Sequence, residues 1–268
     1  MKLEFKMSNN SENRFSDRVE NYVKYRPHYP NEVYLHLLEN KIISSNSVIA
    51  DIGAGTGISA ELFLKHDHKV ILVDPNEPML DAAKKYLSNY SNFETIVAPA
   101  EHTTIKDNSV DLLVCAQAFH WFDREACKKE FKRILKPGGN VVLMWNDRKT
   151  PTENGFLRSY EDFLQFFGTD YKEVNHKNVQ DTKIFDEFFG VGKYDSANFQ
   201  NFQDFNFEGL KGRVLSSSYM PGEGSADFEF MIYCLKKIFM RYQQNGVVRF
   251  EYDTILYYTS TSSVQAIK

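Results

Sequence analysis

The stretch VIADIGAGTGISA, from Val48 to Ala60, decides the fold because it joins a short apolar run to three closely spaced glycines. Glycine allows positive φ, and its missing side chain lets backbone N–H groups approach a ligand closely. The residues after the glycines predict a helix, and a helix N-terminus favours negative charge. The loop therefore suits a ligand with a polar or anionic part, although a strand-to-helix turn without a ligand has the same pattern.

Outside this loop, short apolar runs alternate with amphipathic segments as far as residue 147. Short apolar strands that alternate with helices are typical of a parallel sheet covered on both faces. The Lys-Pro-Gly-Gly segment at 136–139 predicts a turn that stops the last of these helices. The predicted strands occupy residues 48–52, 69–73, 93–97, 110–115 and 141–145, and the predicted helices occupy residues 58–65, 77–87 and 125–135.

Beyond residue 150 the pattern is less regular. Helices are predicted at 156–167 and 228–242, and a long final strand at 247–258. Residues 170–224 are rich in Phe, Asn, Asp and Gly at irregular spacing and predict an insertion. The second half of the chain is therefore expected to complete the sheet and to add a segment that does not belong to it.

Composition excludes several classes of protein. The chain has 268 residues, 42% of them hydrophobic, and a net charge of -4, so it lacks the basic surface expected of a nucleic-acid-binding protein. No run approaches the length needed to span a bilayer, and the start has no apolar signal region. The three cysteines form no close-spaced pair, which argues against a zinc site or a disulfide framework and favours a cytoplasmic protein without a metal; they are Cys115, Cys127 and Cys234.

Two aspartates near the glycines indicate what the loop binds. Asp74 ends the second predicted strand, 21 residues after Gly53, where a carboxylate would accept hydrogen bonds from ribose hydroxyls. The spacing G-x-G-x-G differs from the dinucleotide fingerprint G-x-G-x-x-G, but together with Asp74 it indicates an adenosine-containing cofactor. Asp51 lies inside an apolar strand, where an unpaired carboxylate is unfavourable. It is expected either to cap the N–H groups of the loop or to bind an ammonium group of the ligand.

Five ordered motifs carry a family resemblance: VIADIGAGTG, VILVDPNEPML, APAEHT, VDLLVCAQAFHWFD and ILKPGGNVVLMWN. They resemble the motifs of class I S-adenosylmethionine-dependent methyltransferases, and the resemblance covers residues 15–150. It implies an α/β fold, a doubly wound, mostly parallel seven-stranded sheet of the Rossmann-like type, with an antiparallel last strand and a helical or irregular insertion. The segments YRPHYP, AFHWFD and SSSYMP are similar to the small-molecule branch that includes trans-aconitate methyltransferases.

The resemblance also implies S-adenosylmethionine as the cofactor and a set of residues that bind it. The glycines would line its methionine part, Asp51 would hold its amino group, and Asp74 would bind its ribose. Where many relatives place an aspartate before the Ala-Glu pair, this sequence has Pro99, so adenine recognition would depend on backbone groups and stacking. The full expected set is Asp51, Gly53, Gly55, Gly57, Asp74, Pro75, Asn76, Ala100, Glu101, Gln117 and Phe119.

The block AFHWFD contains the candidate catalytic residue, His120, just after the fourth predicted strand. It could be a general base, could contact the substrate or the cofactor, or could be a structural histidine bonded to a backbone carbonyl. Trp121 is expected in the core or in the pocket wall. Asp123 is expected to N-cap the helix that follows.

Arg26, in the segment YVKYRPHYP, is a candidate for carboxylate binding, because a guanidinium forms paired hydrogen bonds with a carboxylate. It would hold the carboxylate of the cofactor or of a substrate, or would only position the proline-broken helix. Tyr22 lies one helical turn earlier and would share its face. Farther along, Arg213 and the segment 216–219, including Tyr219, supply polar groups for a lid or for helix ends.

These observations divide the chain into three parts. Residues 1–40 are expected to form a helical cap over the active site, and residues 41–150 the cofactor-binding core. Residues 151–268 would complete the sheet and carry a substrate-covering insertion at about 170–224.

The expected function is methyl transfer to a small molecule, as O-methylation and with a carboxylate as the sharper expectation. A nicotinamide-dependent oxidoreductase is an alternative that the glycine spacing disfavours. A nucleic-acid or protein methyltransferase is disfavoured by the acidic balance and by AQAFHW in place of an Asn-Pro-Pro-Tyr type motif. A cofactor-binding protein without catalysis stays open, as does the oligomeric state.

Overall fold

A computed structural model describes residues 23–150, 153–169, 182–217 and 219–259 of the chain. One seven-stranded sheet organises them, with the strand order β3-β2-β1-β4-β5-β7-β6. The strands are β1 (Val48–Ile52), β2 (Lys69–Asp74), β3 (Phe93–Val97), β4 (Val110–Ala116), β5 (Leu135–Arg148), β6 (Tyr194–Phe205) and β7 (Val248–Thr259).

Helices cover both faces of the sheet. In the described ranges they are α1 (Asn31–Glu39), α2 (Ile58–Leu64), α3 (Glu77–Tyr86), α4 (Arg124–Ile134), α5 (Phe156–Phe167), α6 (Thr182–Phe189), α7 (Phe207–Leu215) and α8 (Phe228–Tyr242). A short 3-10 helix, Phe119–Trp121, follows β4. Within these ranges, none of the helices is both long and apolar enough to cross a membrane.

The sheet is mostly parallel: helices connect β1 to β2, β2 to β3 and β4 to β5, and residues 98–109 connect β3 to β4 without a helix. β1 pairs in parallel with β2 and β4, β2 with β3, and β4 with β5. β7 pairs antiparallel with both β5 and β6. The prediction of a doubly wound, seven-stranded sheet with an antiparallel last strand is therefore confirmed.

Two apolar layers hold this sheet because successive side chains of a strand point to opposite faces. Ile49 and Leu112 face one layer, which also contains residues of α1, α2 and α3. Ala50 and Leu113, their neighbours along the strands, face the other layer with residues of α4 and α6. Burial on both sides thus explains why β1 and β4 are apolar except for one aspartate each, Asp51 and Asp111.

A third apolar cluster lies beyond the carboxyl end of β5, on the first part of β7 and on α5, α7 and α8. Arg148, the last residue of β5, pairs with Tyr252, so the residues from Val248 to Glu251 extend past β5. β6 accompanies this extension, with Phe205 opposite Val248. Ligands of open α/β sheets bind at the carboxyl ends of the strands, so this cluster borders the expected site.

Two segments differ from the sequence-based prediction. β6 lies inside residues 170–224, which were expected to be an irregular insertion. This segment forms a strand because its polar and aromatic residues alternate at an exposed edge of the sheet. The predicted turn at 136–139 instead belongs to β5, where Gly138 adopts φ +82° and the register with β4 shifts between Val110 and Leu112. This irregularity absorbs the turn without ending the strand.

Candidate active site

The glycine loop after β1 has a backbone that side chains would obstruct. Gly53, Gly55 and Gly57 have φ values of +71°, +53° and +81°. A Cβ at Gly53 would lie 2.5 Å from the Cβ of Ala118, and one at Gly57 would lie 2.7 Å from a methyl group of Leu87. The glycines therefore serve both the left-handed backbone and the close approach of neighbouring segments.

Asp74 ends β2 next to this loop. Its Oδ2 accepts a hydrogen bond from the Gly55 N–H at 2.8 Å, and its Oδ1 accepts one from the Asn76 N–H at 2.9 Å. Each carboxylate oxygen accepts more than one hydrogen bond, so capacity for ligand hydroxyls remains. The structure thus brings Asp74 and the glycine loop together, while the contact with a ribose stays a prediction.

Asp51 is a buried carboxylate at the base of the loop. Its Oδ2 accepts a hydrogen bond from the Ser59 hydroxyl at 2.6 Å, and the backbone of Ala60 also interacts with it. Within the described residues, its Oδ1 and the hydroxyl of Thr56 are buried without a hydrogen-bond partner. Burial raises the pKa of Asp51 to about 7 against the effect of Ser59, and the nearby charge of Asp74 adds to the rise. A cationic group of a ligand would satisfy this acceptor and favour its charged form.

The other residues expected to contact adenine lie near these strand ends, but several have structural partners. Asn76 N-caps α3 by accepting a hydrogen bond from a backbone N–H at 3.1 Å. Glu101 accepts a hydrogen bond from the Asp123 N–H at 2.8 Å, and Asp123 caps α4 as predicted. Ala100 is buried in the core, and Pro75 is exposed. Their contacts with a cofactor stay predictions.

The carboxyl end of β4 is strained and carries the candidate catalytic residue. Gln117 adopts φ +58°, which is rare for a residue with a side chain and is often found at functional sites. Phe119 is fully buried in the core, and its contact with a cofactor stays a prediction. His120 is half-buried in the 3-10 helix, with its ring centroid 4.8 Å from that of Trp121, which is 36% exposed.

Asn146, at the end of β5, organises this region in a way that the sequence analysis missed. Its Nδ2 donates to the carbonyl groups of Pro27 and His28 at 3.2 and 3.3 Å. Its Oδ1 accepts hydrogen bonds from Asn201 at 3.1 Å and from Thr254 at 2.5 Å. A buried amide directly after the apolar run VVLMW was the signal that could have found it. It joins the N-terminal segment to β6 and β7.

The N-terminal segment also contacts α7. The Nη2 of Arg26 donates to the Ser216 carbonyl at 3.1 Å. Arg213 of α7 is only 8% exposed, and its charge interacts with the hydroxyl group of Tyr219. The structure therefore brings the two candidate arginine segments together. Tyr22 lies outside the described residues.

The sheet order, with the glycine loop after β1, is that of the Rossmann-like methyltransferase fold. Residues 50–143 match the family model of a methyltransferase domain. This part of the chain is therefore a methyltransferase domain, and S-adenosylmethionine is the methyl donor of its class. The resemblance of the five motifs is confirmed at the level of the class.

Known proteins share different parts of the molecule. An uncharacterized methyltransferase-like protein of Schizosaccharomyces pombe is 36% identical over 135 residues, which are 50% of this chain and 52% of that protein. A candidate methyltransferase of Dictyostelium discoideum is 30% identical over 175 residues, 65% of each chain. The chain thus spans about half of the first relative's length and less than two thirds of the second's. A candidate type II methyltransferase from Anaeromyxobacter dehalogenans has the same fold, with a TM-score of 0.67 at 18% identity over 88% of this chain and 98% of its own.

Proposed function

We propose that the protein transfers a methyl group from S-adenosylmethionine to an oxygen atom of a small molecule, with a carboxylate as the favoured acceptor. One arrangement supports this most directly, the glycine loop flanked by Asp74 and by the buried, unpartnered Oδ1 of Asp51. Backbone N–H groups, a hydroxyl-binding carboxylate and a cation-binding carboxylate match the three polar parts of the cofactor.

The protein's own residues then have to bind, align and exclude water, because S-adenosylmethionine supplies the activated methyl group. Asp74 would hold the ribose hydroxyls, and ionised Asp51 would hold the amino group. The aromatic side chains of Trp121 and Phe122, at the end of β4, would limit access of water to the transferred group. Asn146 would keep the N-terminal segment closed over it through its bonds to residues 27 and 28.

The chemical class of the methyl acceptor is inferred from the family resemblance and from the charged residues around α7. The proposal of a carboxylate acceptor rests on the similarity to the branch that includes trans-aconitate methyltransferases and on the arginine-rich surroundings of α7. A carboxylate is already ionised near neutral pH and needs no general base, whereas a hydroxyl does. For a carboxylate acceptor, His120 would orient the substrate and would not accept a proton.

Binding of the cofactor is the first test. S-adenosylhomocysteine in millimolar excess is expected to raise the melting temperature, whereas NADH is not, since only a ligand of the folded state stabilises it. The Asp74→Ala variant should lose roughly 100-fold in affinity, as expected for hydrogen bonds to a charged group. Asp81→Ala, which removes an exposed carboxylate paired with Lys84, is the matched control. Equal affinities of the two variants would refute the assigned ribose site.

Methyl transfer is the second test, with labelled S-adenosylmethionine and a panel of carboxylic acids, alcohols and amines. We expect methyl transfer to the carboxylic acids. In the His120→Asn variant, we expect the rate of this transfer to change little with pH. A pH-dependent rate that this variant abolishes would indicate a general base and a hydroxyl acceptor. Transfer to RNA would favour a nucleic-acid methyltransferase, and binding without any transfer a protein that only holds the cofactor.

The remaining parts of the proposal concern partners and location. A small-molecule acceptor without nucleic acid agrees with the net charge of -4. The three cysteines are free, which agrees with a cytoplasmic location.

A further inference from the structure

Arg213 is a buried cation that has no counter-charge among the described residues. It lies in the last turn of α7 and is 8% exposed. Its Nη1 donates a long hydrogen bond of 3.4 Å to the Ser216 hydroxyl, and its Nε has no partner among the described residues. Within those same ranges, no carboxylate lies within ion-pair distance of it. A guanidinium stays charged at all relevant pH values, so burial does not neutralise it.

Two other arginines, in contrast, form ion pairs with carboxylates. Arg148, at the end of β5, forms a short ion pair with Glu161 of α5. Arg133 pairs with Glu130 at 2.7 Å. A buried charge is stable only with a partner, and at these other positions the chain supplies one. At Arg213 the described chain supplies neutral groups instead.

Tyrosines surround the guanidinium. Tyr160, Tyr219 and Tyr252 all interact electrostatically with Arg213, and the hydroxyl of Tyr252 also accepts a hydrogen bond from it. Burial raises the pKa of Tyr160 to about 12, although the charges of Arg213 and Arg148 oppose the rise, so its hydroxyl carries no negative charge near neutral pH. We call this set of five residues the acceptor cluster. Its hydroxyls and guanidinium groups form a polar, cationic surface inside an otherwise aromatic part of the molecule.

The acceptor cluster lies at the ligand-binding edge of the sheet. Tyr252 pairs in register with Arg148 at the carboxyl end of β5. The guanidinium of Arg148 lies 5.1 Å from the centroid of the Tyr160 ring. Both belong to the edge where an open α/β sheet binds its ligands.

Hydrogen bonds also link Arg213 to the end of β4. Gln117 donates to the Asn146 carbonyl at 3.2 Å, and Asn146 holds the N-terminal segment at Pro27. The adjacent Arg26 donates to the carbonyl of Ser216, whose hydroxyl contacts Arg213. A series of four hydrogen bonds, through Asn146, the backbone at residues 26–27 and Ser216, thus connects the cation to the end of β4.

We infer that Arg213 binds an anionic group of the methyl acceptor, a carboxylate other than the one that is methylated. The inference rests on the proposed function and assigns a residue to its substrate. A carboxylate that forms paired hydrogen bonds with a guanidinium is a weaker nucleophile, so the methylated atom has to be a different one. The acceptor therefore carries at least two anionic groups, one held by Arg213 and one presented to the methyl donor.

Binding of dicarboxylate probes tests this without catalysis. With the protein saturated with S-adenosylhomocysteine, succinate at millimolar concentration is expected to raise the melting temperature, and neutral succinamide is not. The Arg213→Met variant should lose the response to succinate and keep its affinity for S-adenosylhomocysteine within threefold. Arg249→Met, which removes an exposed arginine paired with Asp204, should keep both. A succinate response that survives in Arg213→Met would overturn the inference.

A second variant covers the case in which Arg213→Met does not fold. Arg213→Lys keeps the charge and loses the paired hydrogen bonds, so KM for an accepted acid should rise at least tenfold while kcat stays within threefold. A structural role would lower the melting temperature and leave KM unchanged, which would also overturn the inference. Failure of the wild-type protein to bind S-adenosylhomocysteine would instead refute the proposed function, so the two failures are distinguishable.

Discussion

β1 and β2 end beside a loop with backbone N–H groups and two carboxylates, whereas β5 ends among arginines and tyrosines where antiparallel β7 passes it. We call the first region, residues 51–57 with Asp74, the cofactor edge, and compare it with the acceptor cluster. The cofactor edge comes from two neighbouring strand ends, 17 residues apart between Gly57 and Asp74. The acceptor cluster comes from β5, α5, α7, the segment after α7, and β7, and two of its members, Arg148 and Tyr252, are paired between β5 and β7.

The two regions are stabilised in different ways. The cofactor edge depends on conformation, since its glycines adopt positive φ and leave no room for a Cβ. The acceptor cluster depends on packing and charge, with Arg148 paired to Glu161 and Arg213 left without a carboxylate in the described ranges. The two regions should therefore respond to different kinds of substitution.

The largest effect is expected at the ion pair of the acceptor cluster. Arg148→Met should lower the free energy of unfolding by about 3–5 kcal/mol, because it leaves the buried Glu161 carboxylate without its counter-charge. Arg158→Met, which removes an exposed pair with Asp162 on the same helix, should cost less than about 1 kcal/mol. Urea unfolding of both variants measures the difference. Similar losses in the two would show that the Arg148 pair is no more than a surface contact.

At the cofactor edge, Gly53→Ala should cost about 2–4 kcal/mol, because the new Cβ meets that of Ala118 at 2.5 Å and the backbone has φ +71°. It should also weaken binding of S-adenosylhomocysteine. Gly155→Ala is the control, since φ is 177° there and no atom lies within 4 Å of the added group, so a change within about 1 kcal/mol is expected. Thermal unfolding and ligand titration check both variants. A Gly53→Ala protein as stable as Gly155→Ala would rule out the steric argument.

The same contrast explains how much could be predicted from the sequence. The glycines and Asp74 act through local backbone geometry and strand ends, so their spacing along the chain was sufficient to place them. Asn146 was missed, and Arg213 was named without Tyr160 and Tyr252, because these partners are far away in the sequence and no spacing rule connects them. β6 was missed because an exposed edge strand with polar residues lacks the apolar run that identifies β1.

A change of pH should alter ligand binding at the cofactor edge and leave the charge of the acceptor cluster unchanged. The pKa of Asp51 is raised from 3.8 to about 7 in the folded protein, so the folded state binds more protons than the unfolded state between these values. Its contribution to stability is therefore present below about pH 4 and is lost as the pH rises through 7. A ligand ammonium favours the ionised form, so affinity for S-adenosylhomocysteine should increase up to tenfold per pH unit below pH 7.

Calorimetry at pH 6 in buffers of different ionisation enthalpy should record release of up to one proton on binding. The Asp51→Asn variant cannot release it and serves as the control. Proton release of the same size in this variant would mean that another group titrates. The acceptor cluster offers no comparable response, because a guanidinium stays charged throughout this range.

The smallest effect is expected for cysteine reactivity. It allows a comparison of how accessible the apolar layers behind the two regions are. Cys115 and Cys127 are fully buried in the layer behind the cofactor edge, and burial raises the pKa of both thiols. Cys234 of α8 is only partly buried beside the third apolar cluster. Because alkylation requires an accessible thiolate, a brief iodoacetamide pulse on the folded protein should label Cys234 first, as read by peptide mass spectrometry. In urea all three should react alike. Early labelling of Cys127 in the folded protein would contradict this prediction and would mean that the α4 layer opens more readily than the α8 cluster.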